Sequence, residues 1–217
     1  MINAITIIKK KQGLTYEKFQ NYWKNEHATI VTRSPLVGTY VQSHPIYNDT
    51  LTFEDTIDGI AEIWFEDTNA MRALAATKEY RDIQEDEKVF IDGKAVRLII
   101  AEDAIIKEGP ISDYRVLFFL KIKSNIDLLK FRDDCTGFLS EGFLEKVTRA
   151  KLSLPKLAGY RGDTKPEWDA IFSIWHNKIP NQKYIDEMQS LFFGISKKVI
   201  GKLCFSNIIQ TILHTKV

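Results

Sequence analysis

The chain has 217 residues, of which 44% are hydrophobic, enough to bury one large core or two small ones. Thirty Lys and Arg stand against 29 Asp and Glu, a formal charge of +1 that leaves no basic excess for phosphate neutralisation and argues against nucleic acid as a partner. The longest apolar runs, Val116 to Leu120 and Ile208 to Leu213, fall far short of the roughly 20 residues that span a bilayer. Two cysteines, Cys135 and Cys204, do not make a disulfide framework, and no Cys or His pair has zinc-ligand spacing. With no secretory charge order at Met1 to Lys11, the expectation is a reduced, cytoplasmic protein without a structural metal.

In chain order, Ala4 to Lys9 is rich in β-branched residues and reads as a strand. After the Gly13 turn, Thr15 to Asn25 has helical spacing. Gly38 to His44 and Gly59 to Phe65 read as strands, Thr68 to about Glu87 as one long or broken helix, and Ala95 to Glu102 as a fourth strand. This β-α-β-β-α-β order is the ferredoxin-like unit.

Past a linker at Lys107-Glu108-Gly109-Pro110 the order restarts. Tyr114 to Ile122 reads as a strand, Ile126 to Cys135 as a helix behind Ser124-x-x-Asp127, Arg149 to Leu154 and Trp168 to His176 as strands, a stretch after Pro180 as a helix, and Phe205 to Leu213 as the last strand. Asp58-x-Ile60-x-x-Ile63-Trp64 recurs 111 positions later as Asp169-x-Ile171-x-x-Ile174-Trp175, and Ser43-His44-Pro45 meets Ser153-Leu154-Pro155 at an offset of 110. The expected class is α+β: two fused ferredoxin-like units, 1–108 and 112–217, whose sheets face each other in an intramolecular eight-stranded α/β barrel that encloses side chains or one small ligand.

Polar groups gather in the first half. At 3.6 residues per turn, Phe19, Tyr22, Trp23, Glu26 and His27 neighbour one another. On the second strand Tyr40, Gln42 and His44 share a face, where the second half offers Ala150, Leu152 and Leu154. On the third, Ile60, Glu62 and Trp64 share a face, with Ser173 standing opposite Glu62 in the duplication. A mid-strand carboxylate has a raised pKa if it is buried without a cationic partner, which is how a general acid or base is poised. Plainer roles compete: His27 as a cap on a helix C-terminus, Glu26 paired to Arg33, and the aromatic rings as core.

Gly13-Leu14-Thr15-x-Glu17-x-Phe19-x-x-Tyr22-Trp23-x-x-Glu26-His27-Ala28, Tyr40-Val41-Gln42-Ser43-His44, Asp58 to Phe65 and Asp86-Glu87-x-x-Phe90-x-Asp92 together resemble the EthD family of the dimeric α/β-barrel superfamily, over the first 105 or so residues. The resemblance implies a pocket between sheet and helices, with His27, Tyr40, Gln42 and His44 as ligands or acid/base groups. Members are associated with oxidoreductase roles, fungal relatives with dehydration of polyketide aromatics, and related barrels with monooxygenase and isomerase reactions. The second half has neither Trp-x-x-Glu-His nor Tyr-x-Gln-x-His, so one site per chain is expected.

These readings make the chain an enzyme, an oxidoreductase or dehydratase acting without metal or tightly bound cofactor on a small apolar, aromatic or polyketide-like molecule. His27, His44 and Tyr40 would be catalytic, and Trp23, Gln42, Glu62, Trp64 and Glu26 would bind substrate. Two other readings remain open at this point: a carrier of a hydrophobic metabolite or haem, and an assembly component with a filled interior. A fused pair satisfies its own sheet interface and is also compatible with a homodimer of the whole chain.

Overall fold

A computed structural model describes residues 1–45, 57–121, 147–156, 168–181 and, as backbone, 202–213, with scattered positions at 127–133, 166 and 183–190. Eight antiparallel strands close into a barrel: β1 (Ile2–Ile8), β2 (Thr39–Pro45), β3 (Gly59–Phe65), β4 (Arg97–Lys107), β5 (Tyr114–Leu120), β6 (Arg149–Pro155), β7 (Ala170–His176) and β8 (Lys202–Leu213). Around the barrel the order is β1-β3-β2-β8-β5-β7-β6-β4. Each set of four consecutive strands therefore has its first strand between its third and its fourth, and its second at one edge.

The two longest strands make the closure. β4 pairs with β1 through Arg97 to Ala101 and with β6 through Ala101 to Lys107, while β8 pairs with both β2 and β5. β4 thus runs five residues beyond the expected end at Glu102, and Lys107 belongs to it rather than to the linker. A strand whose two ends must pair with different neighbours has to be long. Both seams carry a register shift, between Ile105 and Lys107 and between Gln42 and Ser43, and such bulges supply the extra bend that closure needs.

On the outside of the first four strands lie α1 (Tyr16–Tyr22), a π-helical turn (Trp23–His27), α2 (Ala28–Thr32), α3 (Thr68–Ala75) and α4 (Lys78–Phe90). Thr15, Asp67 and Thr77 cap α1, α3 and α4 by accepting backbone N–H bonds, and Thr77 is where the long helical stretch breaks. The helices expected at Ile126 to Cys135 and after Pro180 lie mostly outside the described residues. Among those described, no helix is long and apolar enough to cross a membrane, and no cluster of three His, Cys, Asp or Glu is placed to hold a metal.

The pleat sorts side chains between two spaces. Ile5, Ile60, Leu117, Phe119 and Ile171 fill the middle of the barrel. Tyr40, Ala61, Ile63, Phe65 and Ile100 point outward under the helices. In the second half Ala150, Leu152, Phe172 and Ile174 belong to the corresponding outward layer.

Candidate functional site

The helix that begins at Tyr16 does not end at His27. It widens by one π turn and continues to Thr32, so His27 sits within it and the capping reading of this histidine fails. A π turn leaves carbonyls poorly bonded within the helix, and side chains make up the loss here. Gln42 Nε2 donates to the Trp23 carbonyl at 2.8 Å, and Thr29 Oγ1 and Asn25 Nδ2 donate to the carbonyls of Asn25 and Asn21 at 2.8 and 2.9 Å. The widened turn buries Trp23 and His27 together and leaves Glu26 exposed, away from the buried face on which regular helical spacing set it.

Trp23 packs behind the site, against the sheet. Its ring is fully buried, stacks on Phe19 and lies 4.4 Å from the ring of His44. It also covers Gly59, where a Cβ would come within 2.3 Å of Cζ3 and 2.5 Å of Cη2, so the Asp58-Gly59 pair has a steric reason. Asp58 contributes through its carboxylate, which accepts from the Lys10 N–H at 2.9 Å, and through its carbonyl, which accepts from Gln20 Nε2 at 2.7 Å.

His27 Nδ1 lies 2.7 Å from Asp86 Oδ2, and the other oxygen of that carboxylate accepts the Tyr22 hydroxyl at 2.5 Å. The Tyr22 hydroxyl is pushed up to about 12, first by that bond, and so remains a donor. Donating Nδ1–H to Asp86 fixes the tautomer in which Nε2 is the basic nitrogen. Burial draws the His27 pKa below its usual value, against the raising effect of Asp86, and so favours the neutral ring. Its outer face packs on Phe90 at 4.8 Å.

A cavity of about 430 Å³ opens between the outer face of the sheet and the helices. Its walls are largely aliphatic, among them Ile8, Val31, Ile63, Leu74 and Ile100, and its polar lining includes His27, Tyr40, Tyr80 and Glu87. Glu87, next to Asp86 on α4, is pushed up to about 7 by burial first and by Asp86 second. Tyr40 is buried, its hydroxyl receiving Trp23 Nε1 at 3.2 Å and Gln42 Nε2 at 3.0 Å; with both arriving as donors, the phenolic proton is left to point elsewhere. Burial keeps that phenol protonated.

His44 takes a different place. Its Nδ1 contacts Gln20 Oε1 and its Nε2 lies 3.1 Å from Gln42 Oε1, so both ring nitrogens face side-chain carbonyls and neither reaches the cavity. Two acceptors suit an imidazolium, yet burial opposes the charge and draws the pKa down to about 4. His44 therefore braces Trp23, Gln20 and Gln42 from behind.

Glu62 and Trp64 lie on the other side of the sheet, inside the barrel. The condition for a raised Glu62 pKa is not met. The carboxylate is buried but receives Arg115, Lys151 at 2.9 Å and Asn3 at 2.9 Å, and these partners overcome desolvation to hold it down at about 2. Trp64 Nε1 donates to Asp103 at 2.9 Å, which also accepts from Lys151 and Ser153. The two faces of β3 thus serve two separate spaces.

Asp86 and Glu87 are the functional candidates that residue spacing alone missed. They lie 59 and 60 residues from His27, and only their presence in the Asp86-Glu87 stretch of the family resemblance marked them.

Residues 11–94 match the EthD domain. The polar groups named at the outer cavity, His27, Tyr40, Tyr80 and Glu87, fall within that match. No curated protein sequence matches the chain. Among solved structures, a proposed monooxygenase of Lactobacillus acidophilus NCFM is similar at 12% identity and a TM-score of 0.57, covering 98% of each chain. A proposed monooxygenase of Fusobacterium nucleatum has 11% identity and a TM-score of 0.59, over 97% of this chain and 93% of the other. A chlorite dismutase variant from Candidatus Nitrospira defluvii has 10% identity and a TM-score of 0.50, over 95% and 90%. At these identities the likeness shows the shared dimeric α/β-barrel fold and nothing of the reaction.

Proposed function

We propose that the EthD half is a general acid/base enzyme acting on a small, largely apolar aromatic or polyketide-like molecule, and that the second half is its wall. The carrying observation is the His27–Asp86 hydrogen bond, which leaves His27 Nε2 as the base at an aliphatic cavity of about 430 Å³. His27 takes a proton from an acidified carbon or phenol, Asp86 stabilises the imidazolium that forms, and Tyr40 donates its hydrogen bond to the developing oxyanion. Glu87, partly protonated near neutrality, returns a proton to the product or to a departing hydroxyl. Expulsion of hydroxide from the carbanion makes the reaction a dehydration; its capture by O2 makes it an oxygenation. Turnover with and without O2 separates the two.

In this reading the chain is a fused pair of ferredoxin-like units, 1–108 and 112–217, in place of two subunits. The apolar Ala150, Leu152 and Leu154, standing where the EthD half has Tyr40, Gln42 and His44, support a single working side. Trp23, Gln42 and His44 position Tyr40 and the π turn; Glu26, Glu62 and Trp64 stand outside the proposed site. A cytoplasmic setting and a reaction without metal or tightly bound cofactor belong to the same reading.

Carriage of a hydrophobic metabolite or a haem draws on the same cavity and on the unengaged His27 Nε2. A Soret band, or a stoichiometric unmodified metabolite, in the protein as purified selects carriage; catalysed exchange of an acidic substrate C–H with solvent selects the enzyme.

A further inference from the structure

The barrel interior holds a feature that the proposed reaction does not use. At one end lies a second cavity of about 350 Å³, whose lining includes Thr39, Trp64, Asp103, Arg149, Lys151 and Trp175 together with the apolar Met1, Ile105 and Ile111. It is separated from the outer cavity by the sheet itself, since Trp64 faces inward while its neighbour Ile63 faces the helices.

Below this cavity, charge is balanced. Glu62 and Asp103 bind Arg115 and Lys151, Arg115 also donates to Ser43, and the guanidinium lies 5.2 Å from the Trp175 ring centroid. Lys151 Nζ lies 4.8 Å from the ring centroid of Trp64 and 6.0 Å from that of Trp175, with two of its three protons committed to Glu62 and Asp103. One ammonium proton is left. Trp175 is 2% exposed, and among the described residues its buried indole N–H has no hydrogen-bond partner. Arg149 completes the mouth, its Nη1 held by Glu108 at 3.2 Å and by the Gly109 carbonyl at 2.9 Å.

An orphaned buried donor on a residue that lines a cavity is uncommon, because burying a polar group without a partner forfeits its hydration. Here it stands beside a lysine with a spare proton, an arginine and two indole rings. We infer that the open end of the barrel is a binding site for a small aromatic carboxylate, whose oxygens accept from Trp175 Nε1 and Lys151 Nζ and whose ring lies against the indoles of Trp64 and Trp175. The anion is favoured over a neutral ligand because Lys151 and Arg149 line the same cavity as Trp175, while Asp103 is already engaged by Trp64, Lys151, Ser153 and Asn3.

Benzoate is the probe, with benzyl alcohol as its neutral counterpart. The chain has four tryptophans, so a nitrogen–proton correlation spectrum carries four indole signals, and Trp175→Phe identifies one of them while keeping an aromatic ring in place. Benzoate is expected to shift the Trp175 signal saturably and to leave that of Trp23 on the outer face unmoved. Benzyl alcohol is expected to bind at least about tenfold more weakly, the factor that about 1.4 kcal/mol of lost pairing corresponds to. Trp175→Phe is expected to weaken benzoate binding, read from the Trp64 signal, by a similar factor. No saturable shift of the Trp175 signal up to about 20 mM benzoate, well beyond millimolar affinity, would overturn the inference. So would equal binding of the alcohol, undiminished binding by Trp175→Phe, or a response confined to Trp23. Because the readout is on the inner face, it is independent of activity at His27.

Discussion

The ring of Trp23 lies directly on Gly59, closer than any Cβ would allow. A helix residue thereby reaches the backbone of β3, and the same ring stacks on Phe19, lies tilted against His44 and donates to Tyr40. Hemmed in on these sides, it cannot swing away. Gly59→Ala is expected to destabilise the fold by about 1–3 kcal/mol, the range for overpacking a filled core, as measured by urea unfolding. Stability within about 0.5 kcal/mol of the parent would mean that the ring yields freely.

The buried ion cluster sets an acid limit. Glu62 is held at about 2, below its usual 4.5, so its contribution is fully present above pH 4.5 and is lost as pH falls toward 2. Glu62→Gln leaves Arg115 and Lys151 short of a counter-charge and is expected to cost about 3–5 kcal/mol at pH 7. The variant should also show a flatter loss of stability between pH 4.5 and 2 than the parent. Parallel acid-denaturation curves would argue against the cluster as the cause.

His44 acts at higher pH. Its folded pKa of about 4 lies below the ordinary 6.5, so its contribution to stability is whole above pH 6.5 and is lost as pH falls toward 4. In a proton NMR titration its ring signals should hold their neutral shifts through pH 5. A midpoint near 6.5 would show that the two Gln carbonyls outweigh burial.

Much of this arrangement was legible in the sequence. Alternation correctly put Tyr40, Gln42 and His44 on one face and Glu62 with Trp64 on one face, and the β3 bounds were read to the residue. Alternation does not say that these two faces open into different spaces. That follows from barrel closure, as do the partners of Glu62, since Arg115 and Lys151 come from β5 and β6 across the interior. The π turn was invisible for a related reason: the Gln42 amide from β2 helps to stabilise it, and a local reading of Trp23 to His27 assumes 3.6 residues per turn.

At the outer cavity, Glu87 at about 7 predicts an alkaline limb. If it acts as the proton donor, activity falls as pH rises through 7, while protonation of His27 removes the base below its lowered pKa. Glu87→Gln should abolish the alkaline limb and lower the plateau, as read from kcat against pH. An unchanged limb would remove Glu87 from the reaction.

Asp86→Asn keeps the shape of the site but takes the charge from beside His27. Turnover is expected to fall by about 100-fold or more, with KM little changed, because the lost interaction is stronger with imidazolium than with imidazole. A rise in KM alone would assign Asp86 to substrate binding.

The most direct test of His27 as the base is exchange of the acidic C1 protons of 2-tetralone, a two-ring aromatic ketone, with D2O, followed by NMR for the parent and for His27→Gln. The account requires the parent to accelerate exchange and the variant to lose about 100-fold or more of that acceleration. A variant that retains acceleration within about threefold of the parent would contradict it.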